Sequence, residues 1–344
     1  MAWKDEDLRI IESMVISTRI RLARNFASYP FPQKMDDAQA EDIVYLVEQG
    51  LKNLDNFKKY DMRALSEEEA MSLQEKYLIS PALIRSKRGA AFVDEENVTS
   101  IMVNEEDHLR EQYICKGFNL CKAYERISAI DDELGRQFDF AFDEKLGYLT
   151  ACPSNLGTGM RASVMMFLPG LVWNGELKKI LPTLKKGGLT VRGEFGEGTS
   201  AEGYVYQISN ERTLGMSEGD ILEQMEEVTY NLCELEIRAR EDMLQTAKPE
   251  IKDRCLRSYG TLTNCGILSQ KEFLTKMGDV KLGIMLGFLE TDEMTDIQDF
   301  IDGMRPTVFK MSNGLQGATQ KECDIVRAET VYRVLPELVR VVRK

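Results

Sequence analysis

The apolar run Ser100-Ile-Met-Val103 has strand character and stops abruptly at Asn104-Glu105-Glu106-Asp107-His108-Leu109-Arg110. Two adjacent carboxylates, an aspartate, the only histidine and an arginine follow one another there. A strand end loaded with charge in this way marks a candidate site. The plain alternative is an acidic turn opening a helix, where Glu and Asp favour the positive N-terminal end. On this reading a helix covers about 107–130.

Composition limits the chemistry such a site can carry. With one histidine among 344 residues, histidine-based metal clusters and Ser/His/Asp triads are nearly excluded. Chemistry must run on carboxylates, arginines and a cysteine. Seven cysteines lie scattered without a CxxC pair, which fits free thiols in a reducing cytoplasm. The net charge of −13 argues against nucleic acid or an anionic membrane as the main partner, and leaves room for a local basic pocket. No apolar run of about 18 residues and no charged-then-apolar start is seen, so neither a transmembrane helix nor a signal peptide is expected.

Along the chain, Arg19 and Arg21 alternate with Ile20 and Leu22. In a strand both guanidiniums then share a face, and phosphate matches the guanidinium fork; the alternative is a solvated polar face. Residues 37–60 have helical spacing, and 66–78 open with the capping box Ser66/Glu69. Strands at 90–93 and 98–103 flank a turn, and another hairpin is expected around 138–151. The segment Cys152-Pro-Ser-Asn-Leu-Gly-Thr-Gly-Met-Arg161 reads as a glycine turn feeding an apolar helix at 164–168, a place for an anion, although the Walker A ending is missing. A strand at 189–192 runs into a glycine-rich loop, and 204–209 returns as a strand. Ser217 and Asp220 then cap a long helix with an apolar stripe from Met225 to Met243. Lys248-Pro249 marks a boundary beyond which the pattern is helical, dividing the chain into 1–247 and 248–344. The expected fold is α+β: an antiparallel β-sheet flanked by helices, followed by an all-helical C-terminal domain.

Five segments, Ser17–Arg21, Asn104–Arg110, Cys152–Arg161, Arg192–Glu197 and Ile208-Ser-Asn210, stand in the order found in the phosphagen (guanidino) kinases, and the chain resembles that family. Arg257-Ser-Tyr-Gly-Thr-Leu, Lys281-Leu-Gly-Ile, Thr213-Leu-Gly and Ser217–Ile221 are similar to its bacterial protein-arginine kinase branch. That branch has no small N-terminal helical domain and carries a C-terminal helical one.

The resemblance implies transfer of the γ-phosphoryl group of ATP, with Mg2+, to the guanidinium of arginine in proteins. It implies nucleotide binding by Arg19, Arg21, Arg110, Arg161 and Arg192, with Ala162 and Ser163 beside them. Tyr77 stands where the branch has a histidine near the adenine. Glu106 and Glu197 match the catalytic carboxylates, one the base and the other an orienting partner, in either assignment. Cys152 matches a cysteine near the substrate guanidinium. His108 is expected to be structural, and no residue is assigned as a protein-held metal ligand. Asp324 and Arg327 match part of a phosphoarginine-sensing motif in which Cys323 replaces an arginine. The implied partners are arginine-bearing proteins, an activator protein, a stress-response transcription repressor and a Clp protease, with a homodimer as the assembly. A kinase of free arginine and a non-catalytic phosphoarginine-binding adaptor are the competing readings.

Overall fold

The computed structural model describes residues 11–342 apart from 12, 55, 97 and 195–200. Its first half contains β1 (Val15–Arg24), α1 (Asp37–Gly50), β2 (Phe57–Asp61), α2 (Glu67–Glu75), α3 (Pro81–Arg85), β3 (Ala90–Asp94), β4 (Thr99–Val103) and β5 (Leu109–Lys116). Next come α4 (Leu120–Gln137), the short ribbon β6 (Phe142–Asp143) and β7 (Gly147–Tyr148), and β8 (Met160–Phe167). They are followed by α5 (Pro169–Trp173), α6 (Glu176–Lys186), β9 (Leu189–Gly193), β10 (Val205–Asn210) and the long α7 (Glu218–Thr246).

Among the described residues, eight strands form one antiparallel sheet in the order β2-β3-β4-β5-β1-β8-β10-β9. Its centre is β1, whose Ile20 and Leu22 face a core shared with α1, α4 and α7. Helix α4 buries Ala123, Ile127, Ile130 and Leu134 at helical spacing, and its Asp131 holds Arg24 through Nε and Nη2 at 2.7–3.1 Å. On the other face, α2 and α3 cover the β3–β4 side, while the β1–β8–β10 side carries polar residues.

One expected helix is a strand, and another begins later than expected. The acidic stretch opens β5: of the helix expected over 107–130, residues 109–116 are that strand and 120–130 lie in α4. Asn104 adopts φ +58°, which turns the chain back so that β5 pairs with both β4 and β1. Strand periodicity was masked because Arg110 and Gln112 lie on the polar face while Glu111 is buried on the core face. Of the apolar run at 164–168, Val164–Phe167 belongs to β8; Met165 and Phe167 share the face of Arg161 and Ser163, so the run does not alternate and reads equally well as a buried helix. Helical spacing over 37–60 holds only to residue 50; a 3-10 turn and then β2 follow. The capping boxes at Ser66/Glu69 and Ser217/Asp220 form as expected.

Gly157 and Gly159 therefore precede a strand. Their job is close backbone approach. Gly157 has φ +110°, and a Cβ there would stand 2.3 Å from the Thr213 carbonyl oxygen; at Gly159 it would stand 2.6 Å from that of Ala23.

Beyond Ala247 the chain forms α8 (Lys248–Leu262), α9 (Gln270–Met285), α10 (Met294–Gly303), α11 (Pro306–Ser312) and α12 (Gln320–Leu338). A two-residue ribbon interrupts the helical pattern: β11 (Leu289–Glu290) pairs with β12 (Arg340–Val341). Phe273, Met277, Ile297, Phe309 and Val331 centre the apolar core of these helices. Glu75 at the end of α2 accepts hydrogen bonds from Thr307 N and Val308 N at the start of α11, at 2.8–3.0 Å.

Replacing Gly157 by alanine imposes both an unfavourable φ and a backbone overlap. The expected cost is about 2 kcal/mol or more, read as a lower urea midpoint at unchanged m-value.

Candidate active site

Strand β1 lays the site out along its own axis. Ser17, Arg19 and Arg21 occupy alternate positions on the polar face, roughly 7 Å apart from one to the next. Across the ladder, Arg21 stands opposite Arg161 on β8, and Arg19 opposite Ser163. Arg110 on β5 stands opposite Ala23, and Arg192 on the edge strand β9 opposite Gln207. The sheet thus gathers the five arginines singled out in the sequence.

Among the described residues no carboxylate forms an ion pair with Arg21 or Arg161, and Glu105 and Glu211 offset their repulsion only in part. Burial pushes the Arg19 guanidinium down to about 10, and Arg110 adds to the shift. Arg21 is pushed well below the ordinary arginine value by burial and then by Arg19, Arg110 and Arg161. Arg161 is lowered by burial, then by Arg192 and Arg110. The Nε atoms of Arg21 and Arg161 are buried without a hydrogen-bond partner among the described residues. Clustered cations with orphaned donors fit a polyanion, since phosphate accepts in the plane of the guanidinium fork.

Side chains absent from the sequence expectation hold the cluster in place. Gln207 Oε1 accepts from Arg19 Nη2 at 3.1 Å, and its Nε2 donates to Ser209 Oγ at 2.9 Å. Glu105 Oε1 accepts from Arg110 Nη1 at 2.7 Å and from Ser80 Oγ. Glu105 lay in view within the acidic stretch, but its pairing appears only once β5 folds back. Ala162 does not reach the site: its side chain is fully buried in the core and its N–H donates to Asn210 Oδ1 at 2.8 Å. Ser163 does lie on the polar face, within hydrogen-bond distance of Ser209 at 3.1 Å.

The turn between β4 and β5 assigns a different task to each residue. Glu106 is exposed at its tip. Its carboxyl is raised above the usual range by partial burial and then by Asp107 and Glu105, while Arg110 and a hydrogen bond with the Cys152 thiol oppose the rise. Cys152 Sγ also lies 3.0 Å from Ser154 Oγ. Asp107 Oδ1 accepts from Asn25 Nδ2 at 2.7 Å and Ala151 N at 2.6 Å, which fastens the turn to the segment bearing Cys152. His108 is fully buried; Nδ1 accepts from Phe26 N at 2.9 Å, and Nε2 lies 2.9 Å from the Pro30 carbonyl. Burial pushes its pKa down to about 4, so it stays neutral. Glu197 lies outside the described residues.

Tyr77, also at positive φ, has its ring 4.6 Å from the Arg305 guanidinium and 6.0 Å from that of Arg19, and its hydroxyl bonds Glu194. Asp324 and Arg327 sit elsewhere. Arg327 is 1% exposed, and its Nη1 donates to Asp324 Oδ1 at 2.6 Å and Leu268 O at 2.9 Å. Phosphoarginine sensing there would require Arg327 to leave this pair.

Because Arg21 is held against repulsion, Arg21→Met should raise the thermal midpoint of the ligand-free protein by about 2–4 °C. The same change should weaken inorganic tripolyphosphate binding by about tenfold in calorimetry.

Residues 39–239 match the family described as ATP:guanido phosphotransferase, C-terminal catalytic domain. Residues 248–341 match the protein-arginine kinase McsB C-terminal domain. A protein-arginine kinase of Caldanaerobacter subterraneus is 41% identical over 330 residues, 94% of this chain and 97% of that one. The Bacillus subtilis protein-arginine kinase is 40% identical, covering 92% of this chain and 89% of its own. Among solved structures, the duplicated taurocyamine kinase of Schistosoma mansoni superposes with a TM-score of 0.61 at 28% identity, over 78% of this chain and 36% of that longer one. Lombricine kinase gives 0.59 at 27% identity, over 65% of this chain and 66% of its own. The row of arginines ending at a carboxylate and a cysteine thus sits in a chain that belongs to the ATP:guanido phosphotransferase family and, within it, to the protein-arginine kinases.

Proposed function

We propose that this protein transfers the γ-phosphoryl group of MgATP to the guanidinium of arginine residues in proteins. The observation that carries the reading is the arginine row on β1, β5 and β8, with buried unsatisfied Nε atoms, ending at Glu106 and Cys152. In this reading Arg19, Arg21, Arg110, Arg161 and Arg192 neutralise the polyphosphate, which is the main demand of phosphoryl transfer. In this reading magnesium enters with the nucleotide, bridging its phosphates and offsetting their charge.

A guanidinium is a poor nucleophile while protonated, with pKa of about 12.5 or higher. Glu106 accepts its proton as the N–P bond forms and the bond to the ADP oxygen breaks. The raised pKa makes Glu106 a better base than an ordinary glutamate. Cys152, hydrogen-bonded to Glu106, borders the place of the acceptor. Glu197 is assigned the orientation of the guanidinium by family resemblance.

The net charge of −13 favours basic, arginine-bearing segments as acceptors. The solved neighbours, kinases of taurocyamine and lombricine, favour a second reading in which the acceptor is a small guanidino compound. The family resemblance supports the finer reading: a homodimer that answers to an activator protein and a stress-response repressor, and marks proteins for a Clp protease. A cytoplasmic setting belongs to the same proposal, supported by scattered cysteines without a CxxC pair. No described helix is long and apolar enough to cross a membrane.

Incubation with MgATP and either free arginine or an arginine-rich protein separates the readings. Acid-labile phosphoarginine on the protein, with turnover reduced about 10²–10⁴-fold in Glu106→Ala, is the expected result. Label on free arginine alone would assign the small-molecule reaction. Glu106 must be deprotonated to accept a proton, so kcat/KM should fall as pH drops through a value above the ordinary 4.3 of glutamate. His108, neutral down to about 4, should add no step near 6.5.

A further inference from the structure

Beside Arg19, at the end of the arginine row away from Glu106, a cavity of about 630 Å³ opens between the sheet and the C-terminal helices. It falls within the ~300–1,000 Å³ typical of small-molecule sites. A narrow pocket reaching Arg19 shares Ser17, Tyr77, Ile114 and Met165 with it, so the cavity and the arginine row are continuous.

One wall comes wholly from the C-terminal helices, and a string of polar contacts runs along it. Lys281 Nζ donates to Gln298 Oε1 at 2.9 Å. Gln298 Nε2 donates to Asp302 Oδ2 at 3.3 Å. Asp302 Oδ1 accepts from Arg305 Nη2 at 2.8 Å, and that Nη2 also reaches Glu194 Oε1 at 3.3 Å. Glu194 in turn accepts from the Tyr77 hydroxyl. Each of these six residues lines the cavity. Lys281 is almost fully buried, and burial pushes its pKa down to about 8.

In-line transfer places the attacking nitrogen and the leaving ADP oxygen on opposite sides of the γ-phosphorus. With the acceptor at Glu106 and the phosphates along Arg21 and Arg19, the nucleoside must leave the row on the Ser17 side, where this cavity lies. We propose that the C-terminal helices form the far wall of the nucleoside pocket, and that Gln298 and Arg305, together with Tyr77, hold the base and ribose of the nucleotide. The proposal rests on the phosphotransfer reading above. Tyr77 with its stacked Arg305 offers a flat face for a purine, and the Gln298 amide offers both donor and acceptor to a base edge. The nucleotide then bridges the two parts of the chain, touching the sheet through its phosphates and the C-terminal helices through its nucleoside.

Calorimetry on the full chain with two probes tests this: ADP, which carries a nucleoside, and inorganic tripolyphosphate, which does not. Arg305→Ala should weaken ADP by on the order of tenfold or more while leaving tripolyphosphate within about twofold. Gln298→Leu, which keeps the volume and leaves Arg305 in place, should shift the same ratio in the same direction and carries the test if Arg305→Ala fails to fold. Equal weakening of both probes, or of neither, would overturn the proposal. Wild-type protein that binds neither probe would remove the phosphotransfer reading and this inference with it. Wild-type protein that binds both, with variants showing no selective loss of ADP, would remove the inference alone.

Discussion

Mutual repulsion among guanidiniums on one sheet face is the constraint around which the molecule is arranged. Burial removes the water that would screen Arg19, Arg21 and Arg161; Arg110 and Arg161 then act on Arg19, Arg19, Arg110 and Arg161 on Arg21, and Arg192 and Arg110 on Arg161. Such a group persists only where a rigid frame holds it. The frame is the middle of the sheet, where β1 is hydrogen-bonded on both sides, to β5 and β8. Its reverse side is fastened by apolar packing and by the buried Arg24–Asp131 pair. Neutral or paired neighbours, Gln207 for Arg19 and Glu105 for Arg110, fix the outer members and leave the inner pair, Arg21 and Arg161, with buried Nε atoms that no described residue satisfies.

The turn after β4 shows how a short stretch can hold several duties without conflict. Glu105 turns inward to an arginine and Glu106 points out to solvent. Asp107 and His108 are spent on the backbone and on Asn25 around them. Of these four only Glu106 is exposed. The bonds from Asp107 to Asn25 and Ala151 tie the turn to the Cys152 segment, so Glu106 and Cys152 are positioned by one fastening.

Much of this was legible before folding. The alternation at 19–22 announced a strand with cations on one face, and the caps at Ser66 and Ser217 appear as expected. The errors came where the alternation breaks. In β8 the apolar Met165 and Phe167 share the face of Arg161 and Ser163, and β5 buries Glu111 among apolar neighbours, so neither strand keeps the polar–apolar alternation that marks a half-buried strand. Ala162 came from the family resemblance, and its side chain is excluded from the site by the strand itself, where the residue after Arg161 points away from it. Gln207, Glu105 and Glu194 carry no local signal, because their partners are distant in the chain or are reached only through the hairpin. The string joining the C-terminal helices to Tyr77 was likewise invisible, since it spans residues 77 to 305.

The two-residue repeat of β1 has a hereditary consequence. Its odd positions from 17 to 21 face the site, and Ile20 and Leu22 face the core. A one-residue insertion or deletion between Arg19 and Leu22 would exchange the faces, sending guanidiniums into apolar packing and leucine onto the polar face. The register already shifts between Val15 and Ser17, so an extra residue can be taken up by a bulge at that end of the strand, but not between Arg19 and Leu22 without exchanging the faces.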